Sequence, residues 1–214
     1  MKGGVVIEEG FLYGEETHLT VFKTSLSFSS DGFAVYDCKG DLVFRVDSYR
    51  PDTHDRAELV LMDASGRCLL TVRRKQRLSL HHRWEGFVGE RTDGQKPIFS
   101  VKRSSIIGHS SLTVEVNDNP EEYQIEGSFA QRCCTILDGK QQSVAEIKRK
   151  VDASTNVVLG KDVISLLVKP GFDGCFAVAL VLVIDQINGD DFDEGARVEV
   201  VDPLLVNSNI SSSE

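Results

Sequence analysis

Apolar and polar positions alternate with a period of two along most of the chain. Leu42, Phe44 and Val46 alternate with Asp41, Val43, Arg45 and Asp47, and Leu112, Val114 and Val116 alternate with Thr113 and Glu115. A period of two sends one set of side chains to a packed face and the other to water, which is the pattern of a half-buried β-strand. Runs of the same kind at Leu19 to Lys23, Arg77 to Val88, Tyr123 to Phe129 and Val163 to Lys169 bring the count to roughly a dozen strands, as in an all-β sandwich or barrel. Strand and helix do not alternate, so a parallel doubly wound sheet is not expected.

A hairpin recurs within this pattern. Each copy is a short strand, an Asp/Gly turn, and a returning strand that ends in basic residues. The copies read FAVYDCKGDLVFRV from Phe33, ELVLMDASGRCLLTVRR from Glu58, VGERTDGQKPIFSVKR from Val88 and CTILDGKQQSVAEIKRK from Cys134. The turns fall at Asp37 to Gly40, Asp63 to Gly66, Asp93-Gly94 and Asp138-Gly139, where Asp bonds nearby backbone and Gly accepts positive φ. Their spacing is too uneven for a solenoid.

One segment breaks the alternation: KPGFDGCFAVALVLVIDQINGDD. Pro170 and Gly171 end the strand before it, Asp173 is placed to cap a helix, and Gly189 is placed to stop it. No polar side chain occurs between Asp173 and Asp185. At about 1.5 Å per residue the stretch would be about 20 Å long, short of the roughly 30 Å of a bilayer core. A helix apolar on every side is buried on every side, and within one domain the lumen of a β-barrel provides that enclosure. The expected fold is therefore mainly β (α+β): a closed antiparallel β-barrel of about twelve strands around a central hydrophobic C-terminal helix. The organisation read from the chain is a flexible N-terminus at 1–10, a single barrel domain at 11–206 and a disordered polar tail at 207–214.

The chain has 214 residues, enough for one core without metal or disulfide support. Its 33 acidic and 24 basic residues give a net charge of -9, so nucleic acid is not expected to bind directly and any anionic partner must meet a local basic patch. Cysteines stand at Cys38, Cys68, Cys133, Cys134 and Cys175, an odd set without a C-x-x-C spacing. Adjacent Cys133 and Cys134 face opposite sides of a strand, so buried free thiols in a reducing, cytoplasmic compartment are expected, with no metal site. The first eleven residues hold Glu8 and Glu9 and no apolar core, so no signal peptide is expected. The sequon Asn209-Ile210-Ser211 reads as chance.

The segments LTVFKTSLSF, GFAVYDCKGDLVFRVDSY, ELVLMDASGRCLLTVRRK, PIFSVKRS, YQIEGSF, VAEIKRK and LGKDVISLLVKPGFDGCFAVALVLVIDQI, together with the lone Trp84, resemble the LURP-one-related proteins of plants. The resemblance runs in order from about Gly10 to about Asp190 and covers nearly the whole chain. It implies a tubby-like fold, a closed barrel around a hydrophobic helix. It also implies a non-catalytic binding or signalling module associated with plant defence. Relatives in that superfamily include tubby proteins, which tether to phosphoinositide headgroups, and phospholipid scramblases. A phosphoinositide or anionic membrane surface is thus the expected partner, at the plasma membrane or with nuclear entry, for a chain expected to be a monomer with protein partners left open. A scramblase-like, lipid-active protein and an unrecognised enzyme are the alternatives. The family brings no catalytic residues to carry over.

The candidate anion site is the stretch from Arg67 to Arg83, which holds no acidic residue. Extended, it puts Arg73, Lys75 and Arg77 on one face, opposite Val72, Leu78 and Leu80. With Arg74, and with Lys102 and Arg103 at the end of a neighbouring strand, these residues could cradle a phosphorylated headgroup. Lys148, Arg149 and Lys150 end an equivalent strand and could join them. The plainer reading is a solvated outer face whose lysines deter edge pairing. The acidic run from Asp185 to Glu194, with Asp190, Asp191, Asp193 and Glu194 around Gly189 and Gly195, starts like a calcium loop at Asp191-Phe192-Asp193 but lacks its register, so a solvated, helix-terminating loop is expected. There is no G-x-S-x-G elbow and no G-x-G-x-x-G, and Gly160-Lys161 lacks the rest of a phosphate loop. His81 and His82 would point apart, Cys133 and Cys134 lack a placed base in His109, and Trp84 reads as a core or interface anchor. No cofactor is expected.

Overall fold

The computed structural model describes residues 7–26, 30–49, 58–75, 83–103, 111–117, 121–152 and 154–197. Among them, twelve antiparallel strands close into one barrel. In chain order these are β1 (Thr17–Leu26), β2 (Ser30–Tyr36), β3 (Leu42–Tyr49), β4 (Glu58–Asp63), β5 (Cys68–Lys75) and β6 (Arg83–Val88). The second half is β7 (Phe99–Arg103), β8 (Ser111–Val116), β9 (Glu122–Ser128), β10 (Cys133–Leu137), β11 (Ser143–Arg149) and β12 (Val163–Val168). Each strand pairs with its neighbours in sequence, and β1 closes the ring on β12 from Thr17↔Val168 to Phe22↔Val163. Closure leaves no free sheet edge.

The alternation seen in sequence becomes an inner wall two layers deep. Leu19 and Val21, Phe44 and Val46, Leu59 and Leu61, Leu70 and Val72, Val101 and Phe99, Ile164 and Leu166 are all buried. Inside them lies α1 (Gly174–Arg197), whose residues from Cys175 to Asp185 are buried on every side. Phe176 sits edge-on to Phe99 and Tyr123, at ring separations of 5.1 and 5.7 Å, and Phe172 lies 5.6 Å away. Gly86 pairs with Phe99, and a Cβ there would come within 2.1 Å of the Phe99 ring, so the missing side chain makes the space that the ring fills. Trp84 is a core residue, 1% exposed.

An aspartate holds the helix near each end of its enclosed portion. At the start, Asp173 Oδ1 accepts hydrogen bonds from the Cys175 and Phe176 amides at 2.7 and 3.1 Å, a helix N-cap that also places negative charge at the positive end of the dipole. Its Oδ2 accepts from the Ile7 and Glu8 amides at 2.6 and 3.2 Å. Residues 7–10, expected to be part of a flexible N-terminus, are therefore docked. Glu9–Phe11 form a 3-10 turn, Phe11 packs 4.4 Å from Phe44, and Gly171 N donates to Tyr13 O at 2.9 Å. Burial raises the Asp173 carboxyl pKa despite those four bonds, and burial beside Asp173 pushes Tyr13 up to about 12.

At the other end, Asp185 is buried and takes Lys23 of β1 at 3.0 Å and Arg132 of the β9–β10 turn. Asn188 Nδ2 donates to Phe129 O at 2.7 Å. These contacts correct the expectation of a solvated loop beginning at Asp185. The expected stop at Gly189 also does not occur, since α1 continues to Arg197. A glycine interrupts a helix only by taking a left-handed backbone; kept right-handed it costs about 1 kcal/mol and the ladder runs on. The 1–6 segment and the 198–214 tail lie outside the described residues.

The hairpin turns form as expected, with one exchange of roles. Asp37, Asp63 and Asp138 each accept amide hydrogen bonds two and four residues on, closing three-residue loops that end in a left-handed residue. That residue is Gly40 at φ 87° and Gly66 at φ 89°, but Gln141 at φ 62° in the third, where Gly139 had been expected to supply the freedom. The four strands expected by their bounds change extent: β1 runs longer, from Thr17 to Leu26, β9 and β12 stop one residue short at Ser128 and Val168, and β6 begins at Arg83, with residues 76–82 outside the described set.

Two outcomes test this packing. Val181→Asp puts an unpartnered carboxylate in the lumen, costing several kcal/mol out of a typical total of about 5–15, and should yield no folded soluble protein on size exclusion and circular dichroism. Gln141→Gly relieves left-handed strain and should raise stability by up to about 1 kcal/mol in urea unfolding.

Candidate functional site

The repeated hairpin and the closed ring together place the Asp/Gly turns and the basic strand ends at opposite mouths of the barrel. Asp173 lies beside the start of β1, through the Leu12↔Asp173 bridge, and Asp185 meets Lys23 near its end, so α1 runs alongside the odd-numbered strands. Every Asp/Gly turn follows an even strand and lies at the mouth where the helix enters. Every basic strand end belongs to an odd strand and lies at the mouth where the helix leaves: Arg73 to Lys75 on β5, Lys102 and Arg103 on β7, Lys148 and Arg149 on β11. The gathering of cations follows from strand direction alone.

On the outer face of β5 to β8, antiparallel register aligns these residues in two rows. Lys75 is opposite Arg83, and Arg83 is opposite Lys102, giving three cations on three adjacent strands about 4.8 Å apart. One step further from the mouth, Glu58, Arg73, Glu85, Ser100 and Glu115 follow in register. Glu85, 4% exposed, accepts Lys75 at 2.5 Å and lies 3.7 Å from Arg73. Glu115 accepts Arg83 at 3.0 Å and Lys102, and Arg83 also donates to Ser100 Oγ at 2.6 Å. Arg73 covers the Phe87 ring, 5.4 Å from its centre.

The stretch that is free of acid in sequence is thus supplied with acid by its neighbours in the sheet. Among the described residues four cations share two carboxylates, an excess of positive charge. The Nε atoms of Arg73 and Arg83 are buried with no hydrogen-bond acceptor among the described residues.

The predicted residues divide. Arg73, Lys75 and Lys102 share the outer patch. Arg74 falls in the register row of buried Trp84 and Val101, and Arg103 in that of buried Leu112, so both belong to the lumen-facing set at the mouth, where each already takes part in an interaction of its own. Arg77 lies outside the described residues, as do His81, His82 and His109. Lys148 bonds Glu146 at 2.7 Å, Arg149 donates to Leu159 O at 3.3 Å and Lys150 donates to Thr20 at 3.0 Å. These three are separated from β7 by β8, β9 and β10 and do not join the patch. Arg83, central to it, was missed as a site residue, although its alternation with Trp84 at the head of a strand was a usable signal.

The thiols are not all buried as expected. Cys38 and Cys133 are exposed, while Cys134 and Cys175 are buried. Burial pushes the Cys134 pKa up to about 12 and that of Cys175 higher, keeping both protonated. No group of three or more His, Cys, Asp or Glu among the described residues could hold a metal ion, and no helix there is long and apolar enough to cross a membrane.

A family profile described as LURP-one-related matches residues 17–185, from the first residue of β1 to the aspartate that closes the enclosed part of the helix. The chain belongs to the LURP-one-related family. It is 65% identical over 188 residues to Protein LURP-one-related 12 of Arabidopsis thaliana, covering 87% of this chain and 85% of that one. It is 64% identical over 204 residues to Protein LURP-one-related 5 of the same plant, covering 94% and 97%. An X-ray structure of an Arabidopsis thaliana protein superposes with a TM-score of 0.65 at 27% identity, over 87% of this LURP-one-related chain and 99% of the other.

Glu115 offers a test of the patch. The hydrogen bond from Lys102, and then the charges of Lys102 and Arg83, hold its carboxyl below the ordinary value of 4.5 against partial burial. A lowered folded pKa contributes stability above the unfolded value that is lost as pH falls through the folded one. Glu115→Gln should therefore destabilise at pH 7, by at most about 1 kcal/mol after solvent screening, and the difference should vanish in urea unfolding carried out below that window.

Proposed function

We propose that this LURP-one-related protein is a non-catalytic binding module that docks on anionic, phosphorylated membrane headgroups through Lys75, Arg83 and Lys102, with Arg73 behind them, and acts in plant defence signalling. The observation that carries the reading is the register of three cations on adjacent strands, on a chain of net charge -9. Guanidinium and ammonium groups in a flat array suit a phosphorylated surface better than a single small anion, because several can engage at once. The filled lumen favours binding over catalysis, since a ligand has the outer surface and the mouths to work with. Defence signalling comes from the family resemblance. A scramblase-like action needs the apolar helix to reach lipid, whereas here the sheet encloses it from Cys175 to Asp185 and Asp173 and Asp185 tie both ends.

Sedimentation with phosphatidylcholine vesicles, with and without a few per cent phosphoinositide, tests the proposal. The protein should pellet only with the phosphoinositide vesicles and release as salt rises. At about 1 kcal/mol per cation, replacing Lys75, Arg83 and Lys102 together by Gln should weaken binding on the order of 100-fold while the thermal melt still shows a folded barrel. Equal binding by the triple variant, or none by the wild type, would overturn it.

A further inference from the structure

Across the barrel from the basic patch, the outer face of β1 and β2 carries a groove of about 830 Å³. Its construction differs from the outer face of β5 to β8, where Arg73, Lys75, Arg83, Glu85, Lys102 and Glu115 stand. Register puts Phe22 opposite Ala34 and Thr20 opposite Tyr36. Phe22 is 37% exposed, and its ring meets that of Tyr36 edge to face at 5.7 Å and 82°. Ala34, opposite Phe22 and two residues before Tyr36 on the same face, adds only a methyl group to the floor, where a larger side chain would fill it. The β2–β3 turn, from Asp37 to Gly40, forms the wall at one end.

Lys150 reaches over this floor from the end of β11. Its ammonium donates to Thr20 Oγ1 at 3.0 Å, and no carboxylate lies within ion-pair distance of it among the described residues. Lys39, on the end wall, likewise has no ion pair among the described residues. Elsewhere on the outer wall Lys75, Lys102, Lys148 and Lys169 are each held by a glutamate. The one carboxylate lining the groove, Asp37, is committed to its own turn through the Lys39 and Asp41 amides. A flat apolar floor, a hydroxyl, and an ammonium without a counter-ion define their complement: a planar apolar body carrying one negative charge. Ligand pockets commonly take this form, apolar walls with a few placed polar groups, and volumes of about 300–1,000 Å³.

We infer that this groove binds an aromatic carboxylate, its ring against Phe22, Ala34 and Tyr36 and its carboxylate on Lys150 Nζ and Thr20 Oγ1. An aromatic ring fits better than a flexible chain because the tilted Phe22–Tyr36 pair presents a ring face and a ring edge together, and a rigid ligand loses less freedom on binding. The site is independent of the membrane-docking reading, since β1 and β2 lie on the opposite side of the ring from β6 to β8.

Isothermal titration of the full chain with naphthalene-2-carboxylate, naphthalene-2-methanol and decanoate tests this. The naphthoate should bind saturably at one site, with the neutral alcohol and the flexible acid each at least about tenfold weaker, the scale of one charge-assisted hydrogen bond or one lost stacking contact. Lys150→Met, which keeps the stem and removes the charge, should weaken naphthoate about tenfold, and Ala34→Leu, which fills the floor, should abolish it. Lys150 is a surface residue, so its variant carries the test even if Ala34→Leu folds poorly. The triple glutamine variant of the basic patch should bind naphthoate as the wild type does. No saturable naphthoate binding, equal affinity for decanoate, or an unaffected Lys150→Met would each overturn the assignment.

Discussion

Enclosure of a wholly apolar helix by the chain's own sheet is the constraint on which the rest depends. The helix cannot face water, and the sheet's inner wall of Leu, Val, Ile and Phe cannot be left facing a void, so each satisfies the other. Apolar packing does not fix how far the helix slides or turns, because it has no direction. Direction comes from the two aspartates. Asp173 caps the helix and ties down the N-terminal segment with one carboxylate, and Asp185 accepts cations from β1 and from the β9–β10 turn. Buried charges of this kind are worth little as net stability, but they define a single seating.

The charge arrangement of the outer wall follows from the same closure. A hairpin that turns on Asp and Gly and returns into Arg and Lys has its acid and its base at opposite ends. Repeating it around a ring in which every copy points the same way gathers the basic strand ends at one mouth, while the Asp turns at the other also carry Lys39, Arg67 and Lys140. Local pairing tempers the result, as Glu85 and Glu115 hold four cations between them. What survives is an ordered row with a modest excess of charge, suited to reversible contact with a polyanionic surface. The groove on the far side follows a different logic, with aromatic residues and an ammonium that has no ion pair among the described residues, where Lys75, Lys102, Lys148 and Lys169 are each held by a glutamate.

Much of this was legible in the chain. Period-two runs mark strands because a pleated strand must face two ways, and eleven residues without a polar side chain between Asp173 and Asp185 leave a single-domain protein few places to put them other than a lumen. The Asp-led turns were legible because an aspartate two residues from an amide bonds it in almost any context. Gly189 misled because glycine can end a helix without having to, and Gln141 did because the left-handed position in a three-residue loop depends on bulge register, which strand pairing sets.

The alternation of side chains, the apolar helix and its cap are local facts, and the sequence by itself determined them. Which charges meet is not local. Arg83 stands beside Lys75 and Lys102, Glu85 and Glu115 face them, and Lys150 reaches Thr20 across 130 positions of chain, all because antiparallel register brings distant segments within a few ångströms. The acid-free stretch from Arg67 to Arg83 was real as sequence, but its electrostatics were decided by the strands on either side. Tertiary structure alone settled that, because Coulomb energy depends on distance in space and has no regard for distance along the chain.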